Sequence, residues 1–139
     1  MSEQTKEFNL PSRIESVEKA ASEAEDFARQ NNFDSDAVNA VDMAVREAVA
    51  NAVKHGNGEN ETKPVEIAFR NSSEGFEISV RDFGTGFSVD EVPDPTNPEN
   101  LMKASGRGIL FMRAFMDKVE WLNHADGGMI VKMLKKNKR

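Results

Sequence analysis

Val65-Glu66-Ile67-Ala68-Phe69-Arg70, then Asn71-Ser72-Ser73-Glu74-Gly75, then Phe76-Glu77-Ile78-Ser79-Val80-Arg81 is the stretch that decides the fold. Val65, Ile67 and Phe69 alternate with polar or small neighbours, turn-forming residues follow, and Phe76, Ile78 and Val80 resume the alternation. A period of two places all the apolar side chains of a strand on one face, so the stretch predicts a β-hairpin with one face to be covered.

The covering elements stand on either side of it. After Asp34-Ser35, the residues Ala37, Val41, Ala44, Val45, Ala48 and Ala52 recur at helical spacing up to His55-Gly56. Their small side chains let a helix lie close against its neighbour. Earlier, Ile14, Val17, Ala21, Ala24 and Ala28 predict another helix ending at Asn31-Asn32, with Ser12 as its N-cap and Glu15 as the capping-box partner. Thr5 to Leu10 reads as an edge strand. Downstream, Gly106-Arg107-Gly108 opens a third helix that runs to Phe115. Lys118 to Asn123 and Met129 to Leu134 form a second hairpin around Asp126-Gly127-Gly128. Between the hairpin and the third helix, Ser88 to Asn100 carries Pro93, Pro95 and Pro98 and no period. Long irregular segments of this kind are lids, binding loops or disordered stretches.

A chain of 139 residues is of a size for one domain with one core, so residues 1–139 are expected to form a single unit. Eighteen Lys and Arg against 24 Asp and Glu give a net charge of -6, which argues against nucleic acid as the partner. The basic residues of Lys135 to Arg139 read as a solvated tail. The absence of cysteine excludes disulfides, thiolate metal sites and thiol catalysis, and fits a reducing compartment. No window approaches the roughly eighteen apolar residues of a membrane span. The expectation is a soluble, cytoplasmic protein.

Three segments carry chemistry. Glu47, Asn51 and His55 follow one another at four-residue steps, which aligns a carboxylate and an amide beside the alanine stripe. Alone, this pattern is also that of any amphipathic helix, and a histidine at a helix end is suited to packing or capping. The hairpin runs directly into Asp82-Phe83-Gly84-Thr85-Gly86, where glycines allow a sharp turn and close approach to a flat ligand. A carboxylate there can accept from the exocyclic amine of adenine, although an Asp-Gly turn needs no ligand. Gly106-Arg107-Gly108 leaves backbone donors free at a helix start, where the dipole favours a phosphate. Each motif is weak by itself. Their order is what points to a nucleotide site.

In that order, Glu47-Ala48-Val49-Ala50-Asn51-Ala52-Val53-Lys54-His55 resembles the N box of the ATPases that include gyrase, histidine kinases and MutL. Asp82 to Gly86 resembles their first glycine box and Gly106 to Gly108 their second. Within that superfamily, Asn51 to Gly56 and Ser105 to Gly108 followed by Met112 to Val119 look like the bacterial anti-sigma factor serine kinases, which are partner-switching regulators. The resemblance spans Ile14 to Leu134. It implies an α+β two-layer sandwich of the Bergerat type, with helices on one face of a mixed, largely antiparallel sheet, ATP bound between the layers and Ser88 to Asn100 as the ATP lid. It also implies roles. Glu47 would be the general base, Asn51 would hold Mg²⁺, and Asp82 would read adenine. Gly84 and Gly86 would shape the base pocket, while Gly106, Arg107 and Gly108 would cradle the phosphates. Gly127 is followed by Gly128 where many members have a threonine that helps to hold the adenine-reading aspartate.

Two functions follow from the resemblance. The first is an ATP-dependent serine/threonine kinase that phosphorylates an anti-sigma factor antagonist of the STAS type and sequesters a sigma factor. The second is a non-catalytic ATP-binding regulator on the same fold. Retention of Glu47 and Asn51 favours the first, and the absent threonine the second. A homodimer is compatible with the apolar Phe111, Phe115 and Met116, and no direct contact with nucleic acid or membrane is expected.

Overall fold

A computed structural model describes residues 4–57, 60–84, 108–125 and 127–136. The elements in chain order are β1 (Gln4–Pro11), α1 (Glu15–Gln30), α2 (Ser35–Asn51), a π-helical turn (Ala52–Gly56), β2 (Pro64–Ser72), β3 (Gly75–Arg81), α3 (Gly108–Phe115), β4 (Lys118–Asn123) and β5 (Met129–Lys136). The five strands form one sheet in the order β1-β2-β3-β5-β4. All four pairings are antiparallel, so the described strands contain no parallel pair.

The central hairpin is as the alternation predicts. β2 and β3 pair with Phe69 opposite Ile78 and Ile67 opposite Val80, and the ladder continues to Ser72 opposite Gly75, so the turn is tighter than the five residues read from sequence. Val65, Ile67, Phe69, Phe76, Ile78 and Val80 are all buried. They form one cluster with Val41, Ala44, Val45, Ala48, Val49 and Ala52 of α2 and its extension, Ala20, Ala24, Phe27 and Ala28 of α1, and Met112 of α3. This is the expected two-layer arrangement. At one end of the sandwich Phe8, Phe27, Phe33, Phe69 and Phe76 stack on one another, with neighbouring ring centroids 4.8 to 6.1 Å apart.

α2 begins as its sequence predicts. The Asp34 side chain accepts the Ala37 N–H at 2.8 Å, a cap contributing about 1 kcal/mol. The start of α1 does not. Ile14 is its N-cap residue and makes no side-chain cap bond. Ser12 is buried and its hydroxyl donates to the Lys63 carbonyl, while the Ser16 hydroxyl donates to the Pro11 carbonyl at 2.6 Å. The capping box is therefore replaced by a tie to the segment before β2. Lys135 and Lys136 likewise belong to β5 and not to a tail, with Lys135 Nζ donating to the Phe115 carbonyl at the end of α3. No described helix is long and apolar enough to cross a membrane.

Candidate functional site

α2 puts Glu47 and Asn51 one turn apart, at the margin between its buried alanine and valine stripe and its outer face, and both are half-buried. The neighbouring Arg46 is engaged elsewhere. Its Nε donates to both Asp42 carboxylate oxygens at 3.0 to 3.1 Å, and a terminal nitrogen donates to Glu18 at 2.6 Å. These bonds hold the guanidinium firmly protonated and lower the pKa of Glu18. The basic group adjacent to Glu47 in sequence is thus committed to two other carboxylates.

After Asn51 the helix widens into the π turn, closed by the Asn57 N–H donating to the Ala52 carbonyl at 2.8 Å. Single π turns within α-helices occur often at functional sites. This one carries the chain from the Glu47 and Asn51 face to Asn57, which is only 4% exposed. His55 lies within that turn.

Asp82 stands where β3 ends, beside β5. It is 9% exposed, and its N–H donates to the Met129 carbonyl at 3.0 Å. Its Oδ1 accepts from the backbone N–H groups of Gly84, at 3.0 Å, and Met129, at 3.2 Å. Among the described residues no group donates to Oδ2. Burial raises the carboxyl pKa above its ordinary value, opposed by those two N–H groups and by the charges of Arg81 and Lys63. The Arg81 guanidinium lies 4.2 Å from the centre of the Phe83 ring and covers the outer side of the turn. Gly128 packs against the inner side. Its φ is +84°, and a Cβ built on it would meet the Asp82 carbonyl oxygen at 2.0 Å. The place expected to want a threonine hydroxyl is one where a backbone N–H, that of Met129, holds the carboxylate.

The predicted residues divide accordingly. Glu47, Asn51, Asp82 and Gly84 are described, and Gly108 opens α3, which packs on α2 through the shared core. Gly86, Gly106, Arg107 and the Ser88 to Asn100 segment lie outside the described residues. Asn57 was not legible. Within Gly56-Asn57-Gly58 it reads as a turn residue, yet its side chain makes the bond between the end of the α2 extension and the Asp82 turn.

The set suits an adenine nucleotide: a buried carboxylate with one oxygen fixed by two backbone N–H groups, glycine in the turn, and a helix offering a carboxylate and an amide. Comparison with known proteins agrees. The histidine kinase-like ATPase domain family matches residues 10–135. The chain is 28% identical over 131 residues to the serine-protein kinase RsbW of Oceanobacillus iheyensis, covering 90% of this chain and 82% of that one. It is 33% identical over 134 residues to the anti-sigma F factor of Heyndrickxia coagulans, covering 93% and 88%. The crystal structure of the RsbU and RsbW domains of Rv1364c from Mycobacterium tuberculosis superposes with a TM-score of 0.66 over 96% of this chain and 32% of that one. At 15% identity that likeness speaks for the fold alone. With the family match running from the end of β1 to the end of β5, the chain belongs to the histidine kinase-like ATPase domain family.

Proposed function

We propose that the chain, a single unit over residues 1–139, is an ATP-dependent serine/threonine protein kinase of the anti-sigma type. It phosphorylates a serine of an antagonist protein of the STAS type and, in its other state, binds a sigma factor, acting in the cytoplasm and as a homodimer. Two relatives named serine-protein kinase RsbW and one named anti-sigma F factor, 27 to 33% identical and each aligned over 90 to 93% of this chain, support that reading. The observation that carries the catalytic part is Glu47, half-buried one turn before Asn51 and not neutralised by Arg46. A module that only binds nucleotide has no use for a base there. Glu47 takes the proton of the attacking serine hydroxyl, whose oxygen bonds to the terminal phosphorus while ADP departs. Asn51 would hold Mg²⁺ through its neutral amide oxygen, and the ion would supply charge neutralisation at the phosphates. In this reading Gly84 and Gly86 would shape the base pocket, and Gly106, Arg107 and Gly108 would cradle the phosphates.

Label transfer from γ-labelled ATP and Mg²⁺ to an antagonist encoded nearby tests the activity. Nucleotide binding without transfer would favour the non-catalytic regulator.

Asp82 is the adenine reader in this proposal. Ionised, it is a pure acceptor, so adenine's amino group satisfies it and guanine's carbonyl opposes it. ATP is expected to bind about fivefold to a hundredfold more tightly than GTP, and Asp82→Ala to narrow that gap by weakening ATP. Calorimetric titration with both nucleotides measures it, and equal wild-type affinities would remove the role.

The raised pKa of Asp82 adds a pH dependence. The folded carboxyl keeps its proton to higher pH than the unfolded one. As pH rises from the unfolded value through the folded one, this group makes the fold less stable, while the ionised, adenine-reading form becomes populated. On acidification, ATP affinity should therefore begin to fall at a higher pH than an ordinary aspartate carboxyl would give. An affinity that does not fall as the carboxyl takes up its proton would show that the charge on Asp82 plays no part.

A further inference from the structure

We propose that Asn57 is the positioning residue of the adenine-reading turn, an inference that rests on the nucleotide site described above. Its Oδ1 accepts the Phe83 N–H at 2.7 Å, the residue immediately after Asp82. Its Nδ2 donates to the Ser12 hydroxyl at 2.7 Å and lies 3.0 Å from the Pro64 carbonyl and 3.3 Å from the Lys63 carbonyl. Its backbone N–H closes the π turn on Ala52, and its carbonyl accepts from Asn60. One amide side chain therefore joins the loop before α1, the lead into β2, the end of the α2 extension and the turn that bears Asp82.

The arrangement uses both ends of the amide. An amide supplies acceptor and donors together, and each oxygen or N–H here points to a different segment. Ser12 extends the chain of bonds, since its own hydroxyl donates onward to the Lys63 carbonyl. Among the described residues, Asp82 has two kinds of support. Gly84 and Met129 fix the carboxylate itself, and Asn57 fixes the peptide that follows it. Without the second, the turn can rotate about the Asp82 backbone, and the carboxylate loses its aim while keeping its charge. The α2 face that carries Glu47 and Asn51 and the strand end that carries Asp82 are thus held in fixed relation through Asn57.

The role predicts an effect on selectivity that a purely structural bond does not produce. Asn57→Ala is expected to weaken ATP binding about fivefold to a hundredfold and to bring ATP and GTP close to equal affinity. Ser12→Ala disturbs the same network and lowers the unfolding temperature, but it leaves the bond to Phe83 and should preserve the preference for ATP. Hydrogen exchange of the Phe83 amide in the unaltered, nucleotide-free chain provides a measurement that does not depend on any variant folding. Strong protection there, slowed relative to an exposed amide, is expected, and exchange at the rate of an exposed amide would overturn the proposal. So would Asn57→Ala with the wild-type ratio of ATP to GTP affinity. If the unaltered chain itself fails to distinguish the two nucleotides, the adenine reading falls and the positioning role falls with it. A wild-type preference that survives in Asn57→Ala defeats the positioning role alone.

Discussion

The chain carrying Glu47→Ala is expected to bind ATP within severalfold of the unaltered chain while transferring phosphate about 10²- to 10⁴-fold more slowly. The separation of the two effects follows from where Glu47 sits. It lies a full turn from Asn51, on the same margin of α2, and is half-buried without being part of the core cluster. Its removal leaves no buried base stranded, because Arg46 is bonded to Asp42 and Glu18. Alanine is also the best helix former, so α2 keeps its shape. Calorimetry gives the affinity, and label transfer to the antagonist gives the rate. A variant that transfers phosphate at the wild-type rate removes Glu47 from the mechanism.

Gly128→Ala should be the most damaging small substitution near the site. Two independent penalties meet there. A left-handed backbone costs a residue with a Cβ about 1 to 2 kcal/mol, and at φ +84° Gly128 is in that region. The added carbon would also stand 2.0 Å from the Asp82 carbonyl oxygen and 3.1 Å from the Phe83 Cα, both of them backbone atoms of the turn. Such overpacking typically costs about 1 to 3 kcal/mol more. The expected loss is about 2 to 5 kcal/mol in chemical denaturation, with weakened ATP binding because the displaced atoms carry Asp82. Gly127→Ala is the matched control. Its φ of +99° is strained as well, but nothing lies within 4 Å of a Cβ there. It should lose only about 1 to 2 kcal/mol and keep its affinity. Equal losses in the two variants would show that contact with the Asp82 turn is unimportant.

Periodic features were legible in the sequence. The alternation of Val65, Ile67 and Phe69 with Phe76, Ile78 and Val80, and the Ala and Val stripe of α2, each follow from burial of one face, which leaves a regular trace. The start of α2 after Asp34 or Ser35 was legible from where its stripe begins, and the structure supplies the cap, the Asp34 side chain accepting the Ala37 N–H. Asp82, Glu47 and Asn51 were singled out as candidates by motif order. What escaped was the long-range polar bonding. Ser12 followed by Glu15 fits a capping box, but its partners lie 45 and 51 residues away, at Asn57 and Lys63, and local spacing carries no sign of them. Gly128 raised the opposite question from the one the fold answers. In sequence it is a missing hydroxyl, whereas in the sandwich it is the room that the Asp82 carbonyl needs.

β3 begins at the stacked phenylalanines, with Phe76 against Phe27, Phe33 and Phe69, and ends at Arg81, one residue before Asp82. Six residues of extended chain, about 20 Å, separate the two ends. The aromatic end coheres through its own ring contacts, whereas the polar end adds backbone and amide bonds to its buried Val65, Val80 and Val131. Inheritance can therefore act on the two ends separately: substitutions that retune nucleotide or partner at the polar end leave the distant anchor of the scaffold in place.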